Sequence, residues 1–343
     1  MYTAFMQTLQ TQTTENKITL INKQSGIPLI GTVFIGILDR GSSLLQVRAT
    51  TICNMNCTFC STDGGPFSKL HKNHFIVEPN YLLEELKKIS EYKGYKIHYN
   101  IDSVGEPTSY PYLIDLIKGI NEIPEVIKIS MQTNGSLLTK EFVDKLNESG
   151  LTRLNVSVHS LDSLKAKLLF GSQTYQIEKV KEVLNYIKNT KIDLWLTPVW
   201  IPKINDSDIV ELIKFAKENS FNIAIQKYET YRYSRKVKKS KKLTYWKFYK
   251  QLENWEKEFE IKLKFTEEDP TILRRKSLPI VFDVNEKIQA VVVSKGWFDD
   301  QVLASAKDRC ITVINCNYKI GDKINIKIIE NKNNIYIAEL IRK

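Results

Sequence analysis

The sequence predicts an α/β protein: a partial (β/α)6, TIM-like barrel with a small antiparallel β-barrel at its carboxyl end. Three observations predict it. Strand-like and helix-like runs alternate from Leu44 to residue 227. About six strands are present in that stretch, fewer than the eight of a closed (β/α)8 barrel. Five or six short strands then crowd into the chain after Ile280.

The strands of the first unit are LLQVRAT (44–50), KIHYNID (96–102), IKISMQ (127–132), RLNVSVH (153–159), IDLWLTPV (192–199) and NIAIQ (222–226). Helical periodicity separates them. Leu113, Leu116, Ile117 and Ile120 recur at one-face spacing, as do Ile177, Val180, Leu184 and Ile187, and Ile209, Leu212, Ile213 and Ala216. Such alternation means right-handed βαβ units around a parallel sheet. Ahead of it, residues 1–43 form an N-terminal β extension, with Ile18–Ile21 and residues 31–38 as short strands. After residue 227 comes a basic stretch. Arg232, Arg235, Lys236, Lys238, Lys239, Lys241, Lys242, Lys247 and Lys250 lie there with no acid among them. An aromatic helix overlaps it, with Tyr245, Phe248, Leu252, Trp255 and Phe259 on one face. The first unit therefore runs over 44–277, and KSLPI around Pro279 is its linker to the second, 278–343. That second unit offers IVFDV, KIQAVVVS, QVLASA, CITVIN, KINIKII and NIYIAELI as strands.

Composition narrows the function classes. The 343 residues are 42% hydrophobic and 26% charged, as in ordinary soluble chains. Five cysteines exclude a disulfide-built scaffold. The longest apolar stretch, residues 27–38, is interrupted by Gly31 and Thr32 and is too short for a membrane span. No secretory signal opens the chain, so the cytoplasm is the expected location. A net charge of +11 favours a polyanionic partner; a Lys-rich solvated surface accounts for it equally.

The chemistry concentrates in ATTICNMNCTFCSTDGG. Cys53, Cys57 and Cys60 form a C-x3-C-x2-C set directly after the strand LLQVRAT. Three thiolates on one loop grip three corners of an iron–sulfur cubane and leave the fourth iron open. The rival readings are incidental cysteines and a zinc site, for which His71 or His74 supplies the fourth ligand.

With these residues the chain resembles the radical S-adenosylmethionine (SAM) enzymes. The resemblance covers about residues 44–230. It implies that Cys53, Cys57 and Cys60 hold a [4Fe–4S] cluster, with Phe59 as the aromatic residue before the last cysteine. It further implies that the cluster reductively cleaves SAM to methionine and a 5′-deoxyadenosyl radical, which takes hydrogen from the substrate. An external one-electron donor such as ferredoxin or flavodoxin is implied with it. The family's Gly-Gly-Glu-Pro reads Val104-Gly105-Glu106-Pro107 here, with the first glycine replaced. Gly105 and Glu106 are thus implied to meet the SAM amino group. Thr133, Asn134 and Ser157 follow the third and fourth strands at positions that seat SAM. Pro198 begins the fifth-strand segment PVWIPKIND, where Lys203 replaces a family glycine, and Gln226 and Tyr228 come from the sixth strand. Such a radical calls for a mainly apolar, closed pocket.

The carboxyl-terminal pattern, ending GDKINIKIIENKNNIYIAEL, resembles the TRAM-like or OB-like barrels that RNA-modifying, methylthio-adding members of the family carry. That implies an RNA substrate, tRNA before rRNA, bound through 232–250 and 278–343. The barrel is nearly balanced in charge, with ten basic and eight acidic residues, so the lysines of 232–250 carry the electrostatics. Tyr231, Tyr233, Tyr245 and Trp246 are candidate base-stacking residues, and Trp297-Phe298 is either another stacking pair or a cap. No cysteine lies in the first 43 residues, so the second-cluster domain of methylthio-adding enzymes is not expected. Cys310 and Cys316 remain as candidate catalytic thiols, or as small buried hydrophobes. The alternatives are a peptide, lipid or small-metabolite substrate, and a non-catalytic iron–sulfur protein that binds nucleic acid.

Overall fold

Short β-branched runs between amphipathic helices produce the predicted order in the computed structural model, which describes residues 17–265 and 272–341. Residues 1–16 of the N-terminal extension, 266–271 and the basic pair 342–343 lie outside the described residues.

Strand β1 (Lys17–Ile21) pairs in parallel with β4 (Asn73–Val77), beside the main sheet. Strands β2 (Gly36–Asp39) and β3 (Leu44–Arg48) pair antiparallel. From β3 the sheet grows through β5 (Ile97–Ile101), β6 (Val126–Thr133), β7 (Arg153–Val156), β8 (Asp193–Leu196) and β10 (Asn222–Ile223), all parallel. Two short strands, β9 (Val199–Trp200) and β11 (Gln226–Lys227), extend β8 and β10 beyond a break. These are the six parallel strands of a partial barrel.

The helices are α1 (Pro79–Lys93), α2 (Leu113–Asn121), α3 (Lys140–Glu148), α4 (Ser163–Phe170), α5 (Ile177–Ile187), α6 (Asp206–Asn219) and α7 (Tyr245–Phe259). Three of them, α1, α3 and α4, go beyond the sequence expectation. For α1 the signal was present: Glu78 caps its first turn, Pro79 opens it, and Leu82, Leu86 and Ile89 are buried at helical spacing. In α7 the aromatic face is core: Phe248, Leu252 and Trp255 are buried, and Trp255 packs on Trp200 at 4.9 Å.

The second unit is a closed barrel in the order β12 (Lys287–Lys295), β13 (Gln301–Ala306), β14 (Arg309–Ile314), β16 (Ile337–Leu340), β15 (Lys323–Glu330). It departs from the antiparallel expectation at one seam, because β14 and β16 run parallel. IVFDV is not a strand. Phe282 instead closes one end of the barrel, edge-on to Tyr336 at 5.4 Å.

Residues 31–38 are not one strand either. Only Gly36–Asp39 pairs, and the preceding segment lies against the second barrel. Cys310 N–H donates to Ile30 O at 2.8 Å, and Tyr336 N–H to Gly31 O at 2.8 Å. A Cβ on Gly31 would stand 1.9 Å from Cys310 O, so this approach needs glycine. The linker is pinned as well. Asp39 accepts from Leu278 N–H at 2.7 Å while pairing with Lys93 Nζ at 2.7 Å, both side chains being buried. Removing either member of such a pair costs about 3–5 kcal/mol. No helix among the described residues is long and apolar enough to cross a membrane.

Candidate active site

Side chains alternate along the parallel strands. Leu45, Val47, Tyr99, Ile101, Met131, Leu154, Val156 and Leu196 are buried in the main core. The residues between them point to the barrel interior, and they are polar. Gln46 and Arg48 both reach Asp102, Arg48 Nε at 2.9 Å. Ser130 Oγ donates to Asn100 at 2.6 Å, and Gln132 Nε2 reaches Ser157 Oγ at 2.9 Å and Thr197 Oγ1 at 2.7 Å. The inner face of the sheet thus carries hydrogen-bonding groups, while at the cysteine loop Cys57 packs against an apolar cluster of Phe59, Leu169, Ile201 and Tyr228.

At the carboxyl end of β3 the chain turns into the cysteine loop. Cys60 N–H donates to Cys57 O at 3.1 Å, and Gly64 N–H points at Cys60 Sγ at 3.2 Å. The end of α4 holds the loop from one side, through Asn56 N–H to Phe170 O at 3.0 Å and Thr58 N–H to Leu169 O at 2.9 Å. Burial pushes the Cys53 thiol up to about 12, with the Glu106 charge adding to it, and raises Cys57 as well. A cation beside these half-buried thiols would favour the thiolate form, which is what cluster iron would supply.

Among the described residues no three His, Cys, Asp or Glu converge to hold a single ion. Cys53, Cys57 and Cys60 lie close enough for the charge on one thiolate to oppose ionisation of the next, which the iron of a cluster would offset. His71 is committed elsewhere. Its Nε2 meets Thr62 O, and its ring stacks on Trp297 at 3.8 Å. His74 lies within β4.

Glu106 is 2% exposed and stands between the cysteine loop and the end of β6. Its Oε1 accepts from Thr108 N–H at 3.0 Å, Thr108 Oγ1 at 2.6 Å and Thr133 Oγ1 at 2.6 Å; Oε2 accepts from Asn134 N–H at 2.8 Å. It thus caps the short turn Pro107–Ser109 and also joins Thr133 and Asn134. Burial raises its pKa against these bonds. A carboxylate has about four lone-pair sites, and Oε2 keeps room for one more donor. An ammonium there meets both charge and geometry. Gly105 is pressed on the preceding loop: a Cβ would lie 2.2 Å from Ile52 O.

The other predicted residues spread along the strand ends. Asn134 Nδ2 donates to Asn54 Oδ1 at 2.9 Å, inside the cysteine loop. Ser157 belongs to the Gln132–Thr197 network rather than to the Glu106 cluster. Pro198 is buried and its carbonyl takes Gln226 N–H at 2.7 Å, while the Gln226 side chain is exposed. Phe59 packs with Leu169, Ile201 and Tyr228 and meets the buried His159 edge-on at 4.7 Å. Cys310 and Cys316 are buried in two different apolar clusters, Cys310 in the main core and Cys316 in the second barrel. Trp297 and Phe298 cap the fold. Trp297 lies between Phe34 at 5.0 Å and His71, and Phe298 meets Tyr233 at 4.5 Å.

Sequence reasoning missed Asn54, Ser136, Thr108, Asp63 and His159. Asn54 sits inside the C-x3-C spacing, which was its available signal. His159 had none: it is neutral because burial lowers its pKa to about 3, and its Nδ1 accepts Val199 N–H at 3.1 Å.

Residues 47–216 match the family model described as the radical SAM superfamily. The chain belongs to that superfamily. It is therefore a radical SAM enzyme with a [4Fe–4S] cluster and SAM as cofactors, and such enzymes draw an electron from an external reductant. Here Cys53, Cys57 and Cys60 would hold the cluster, and Glu106, with Thr133 and Asn134, would face the SAM amino group. When bound, the cluster supplies the electron that cleaves SAM. The chain's own residues would hold the three half-buried thiols on one loop and fix the Glu106 carboxylate, through Thr108, Thr133 and Asn134, with room for one more donor.

The chain is 38% identical to an uncharacterized protein of Methanocaldococcus jannaschii, over 97% of this chain and 83% of that one. It is 33% identical to a probable GTP 3′,8-cyclase of Thermococcus kodakarensis, over 50% of this chain and 52% of that protein. A GTP 3′,8-cyclase of Aquifex aeolicus is 30% identical over 52% and 54%. The chain thus spans about half the length of these cyclases. Among solved structures, Streptococcus suis SuiB shares the fold at TM-score 0.50 and 20% identity, covering 65% of this chain and 48% of that one.

Proposed function

We propose that this radical SAM enzyme removes a hydrogen atom from an RNA, tRNA first, and so modifies it. One observation carries the reading. The acid-free basic segment 232–250 begins on the cysteine loop itself, where Ser234 Oγ donates to Ser61 O at 2.9 Å and Arg235 N–H to Cys60 O at 2.8 Å. A phosphate backbone following Lys236, Lys238, Lys239, Lys241 and Lys242, all exposed, has one end at the cluster. Tyr231 and Trp246, 61% and 72% exposed, are free to stack bases beside it. A polar barrel interior suits an extruded nucleoside.

The second barrel takes a different part in this reading. An OB-like barrel binds oligonucleotides with its strand 2–3 face and neighbouring loops. Here Leu303 of β13, Cys310 of β14 and Trp297 of the β12–β13 loop are packed in the main core. That face of the barrel is then covered, and 232–250 is the RNA-binding element. Ferredoxin or flavodoxin is the reductant we assign, in the cytoplasm, where free thiols stay reduced.

A free nucleotide is the second reading. The polar interior and the partial likeness to GTP 3′,8-cyclases favour it over a peptide or lipid. One experiment separates them. Anaerobically reconstituted enzyme receives SAM and dithionite, and 5′-deoxyadenosine is quantified alone, with unmodified tRNA and with GTP. Release stimulated by tRNA supports the proposal. Stimulation by GTP and not by tRNA replaces it with the second reading. Release indifferent to both overturns the two together.

A further inference from the structure

Arg235 counts in sequence as one of nine polyanion-binding cations, but the fold turns it inward. Its backbone N–H donates to Cys60 O at 2.8 Å. Its Nη1 donates to Cys57 O at 3.0 Å, and its Nη2 to Gly64 O at 2.7 Å and Asp63 O at 3.3 Å. Its Nε pairs with Asp63 Oδ1 at 2.6 Å. The guanidinium fork thus spans the loop from Cys57 to Gly64. Asp63 is 6% exposed, and its other oxygen is held by Ser68 Oγ at 3.1 Å and Lys69 N–H at 2.9 Å.

Two consequences follow. Arg235 lies in the loop that follows β11, tied back to it where Tyr228 Oη donates to Arg235 O at 3.3 Å, while the cysteine loop follows β3, the first of the six parallel strands. Those strands are not paired with each other. Arg235 joins the two ends where the sheet does not close. Second, the guanidinium donates to Cys57 O at 3.0 Å and its backbone N–H to Cys60 O at 2.8 Å, so the fold fixes a cation against the backbone of two cluster ligands. A fixed cation near a cluster favours the form carrying the extra electron, and the Asp63 anion disfavours it.

We propose that Arg235 is a positioning residue for the cluster: it latches the cysteine loop to the loop that follows the last barrel strand and raises the cluster's reduction potential. The inference rests on the radical SAM assignment and is independent of the RNA reading. The electron itself comes from the external reductant.

The test is an anaerobic redox titration of the reconstituted cluster followed by EPR, with iron release to a chelator measured in parallel. Arg235→Gln should move the midpoint to more negative potential and speed iron release. Asp63→Asn, which keeps the cation, should move the midpoint the opposite way. Arg235→Lys should hold the midpoint near wild type yet release iron faster, since a lysine keeps charge and loses the fork. The double variant Arg235→Gln/Asp63→Asn should bring the midpoint back toward wild type. If Arg235→Gln and Asp63→Asn shift it in the same direction, or neither shifts it, the potential-setting role is overturned. If Arg235→Gln retains no cluster, Asp63→Asn and Arg235→Lys decide alone: a midpoint unmoved in the first, or displaced in the second as far as in the first, overturns it. Wild-type iron release in both Arg235 variants overturns the latch.

Discussion

The molecule holds two barrels that solve opposite problems. The first is open, its inner face is polar, and its functional residues gather at the carboxyl ends of parallel strands. The second is closed, and its interior of Val292, Val313, Ile324, Ile326 and Ile328 is apolar. Its seam residues face the first barrel, with Trp297, Leu303 and Cys310 joining the main core. Closure removes the sheet edge and fills the centre with side chains, which leaves nowhere for chemistry. An open barrel keeps its lumen and must be walled by something else. The second barrel packs instead on Ile30, Gly31, Phe34 and His71.

The sharpest break in this comparison is at the cysteine loop. Cys57→Ala should abolish cluster assembly while the second barrel stays folded, read as loss of iron and of visible absorbance with an unchanged far-ultraviolet spectrum. Trp297→Ala attacks the seam between the barrels and should cost about 3–5 kcal/mol of stability. Thermal unfolding checks it, and a destabilisation below about 1 kcal/mol would mean that the seam is not a shared core. Glu106→Gln should leave the cluster in place and weaken SAM binding roughly 10- to 100-fold, from a charge-assisted bond worth about 1.5–3 kcal/mol. Equilibrium dialysis against the loaded protein reads it.

Acid provides a subtler probe of the first barrel. Burial lowers His159 from the ordinary 6.5 to about 3 and His74 to about 4. Between those values the unfolded chain binds protons that the folded chain refuses. Stability is therefore full above pH 6.5 and declines as pH falls toward 3. His159→Gln should flatten that decline in urea unfolding of the iron-free protein. Smallest of all, Lys238→Ala/Lys239→Ala should reduce the salt slope of tRNA affinity by about two and leave SAM cleavage without RNA unchanged.

Much of this was legible before any coordinates. The C-x3-C-x2-C loop after a strand, the six strands, the aromatic helix and the closing small barrel follow from periodicity and spacing. Family resemblance named Glu106, Thr133 and Asn134 each as a residue that meets SAM, but not their pairing with one another, since nothing local joins residues so far apart. Helices α3 and α4 escaped because their apolar stripes are short, whereas α1 carried a cap, an opening proline and a buried stripe that sequence reasoning passed over. The Trp297-Phe298 turn looked equally like a stacking pair and a cap. The fold decided, by placing Phe34 and His71 against the indole. Arg235 was the largest misreading, because a composition count treats every cation in a basic run alike.

By itself, then, the sequence determined the six parallel strands and most of the helices between them, the cluster-binding motif and the charge of 232–250, all of which depend on neighbours along the chain. Only the tertiary structure decided which lysine-rich neighbours stay in water and which arginine turns inward, that the barrel interior is polar, and that the second barrel spends its face on the first. Those depend on contacts between residues far apart in sequence. Their cost in chain entropy is repaid only when the whole fold closes around them.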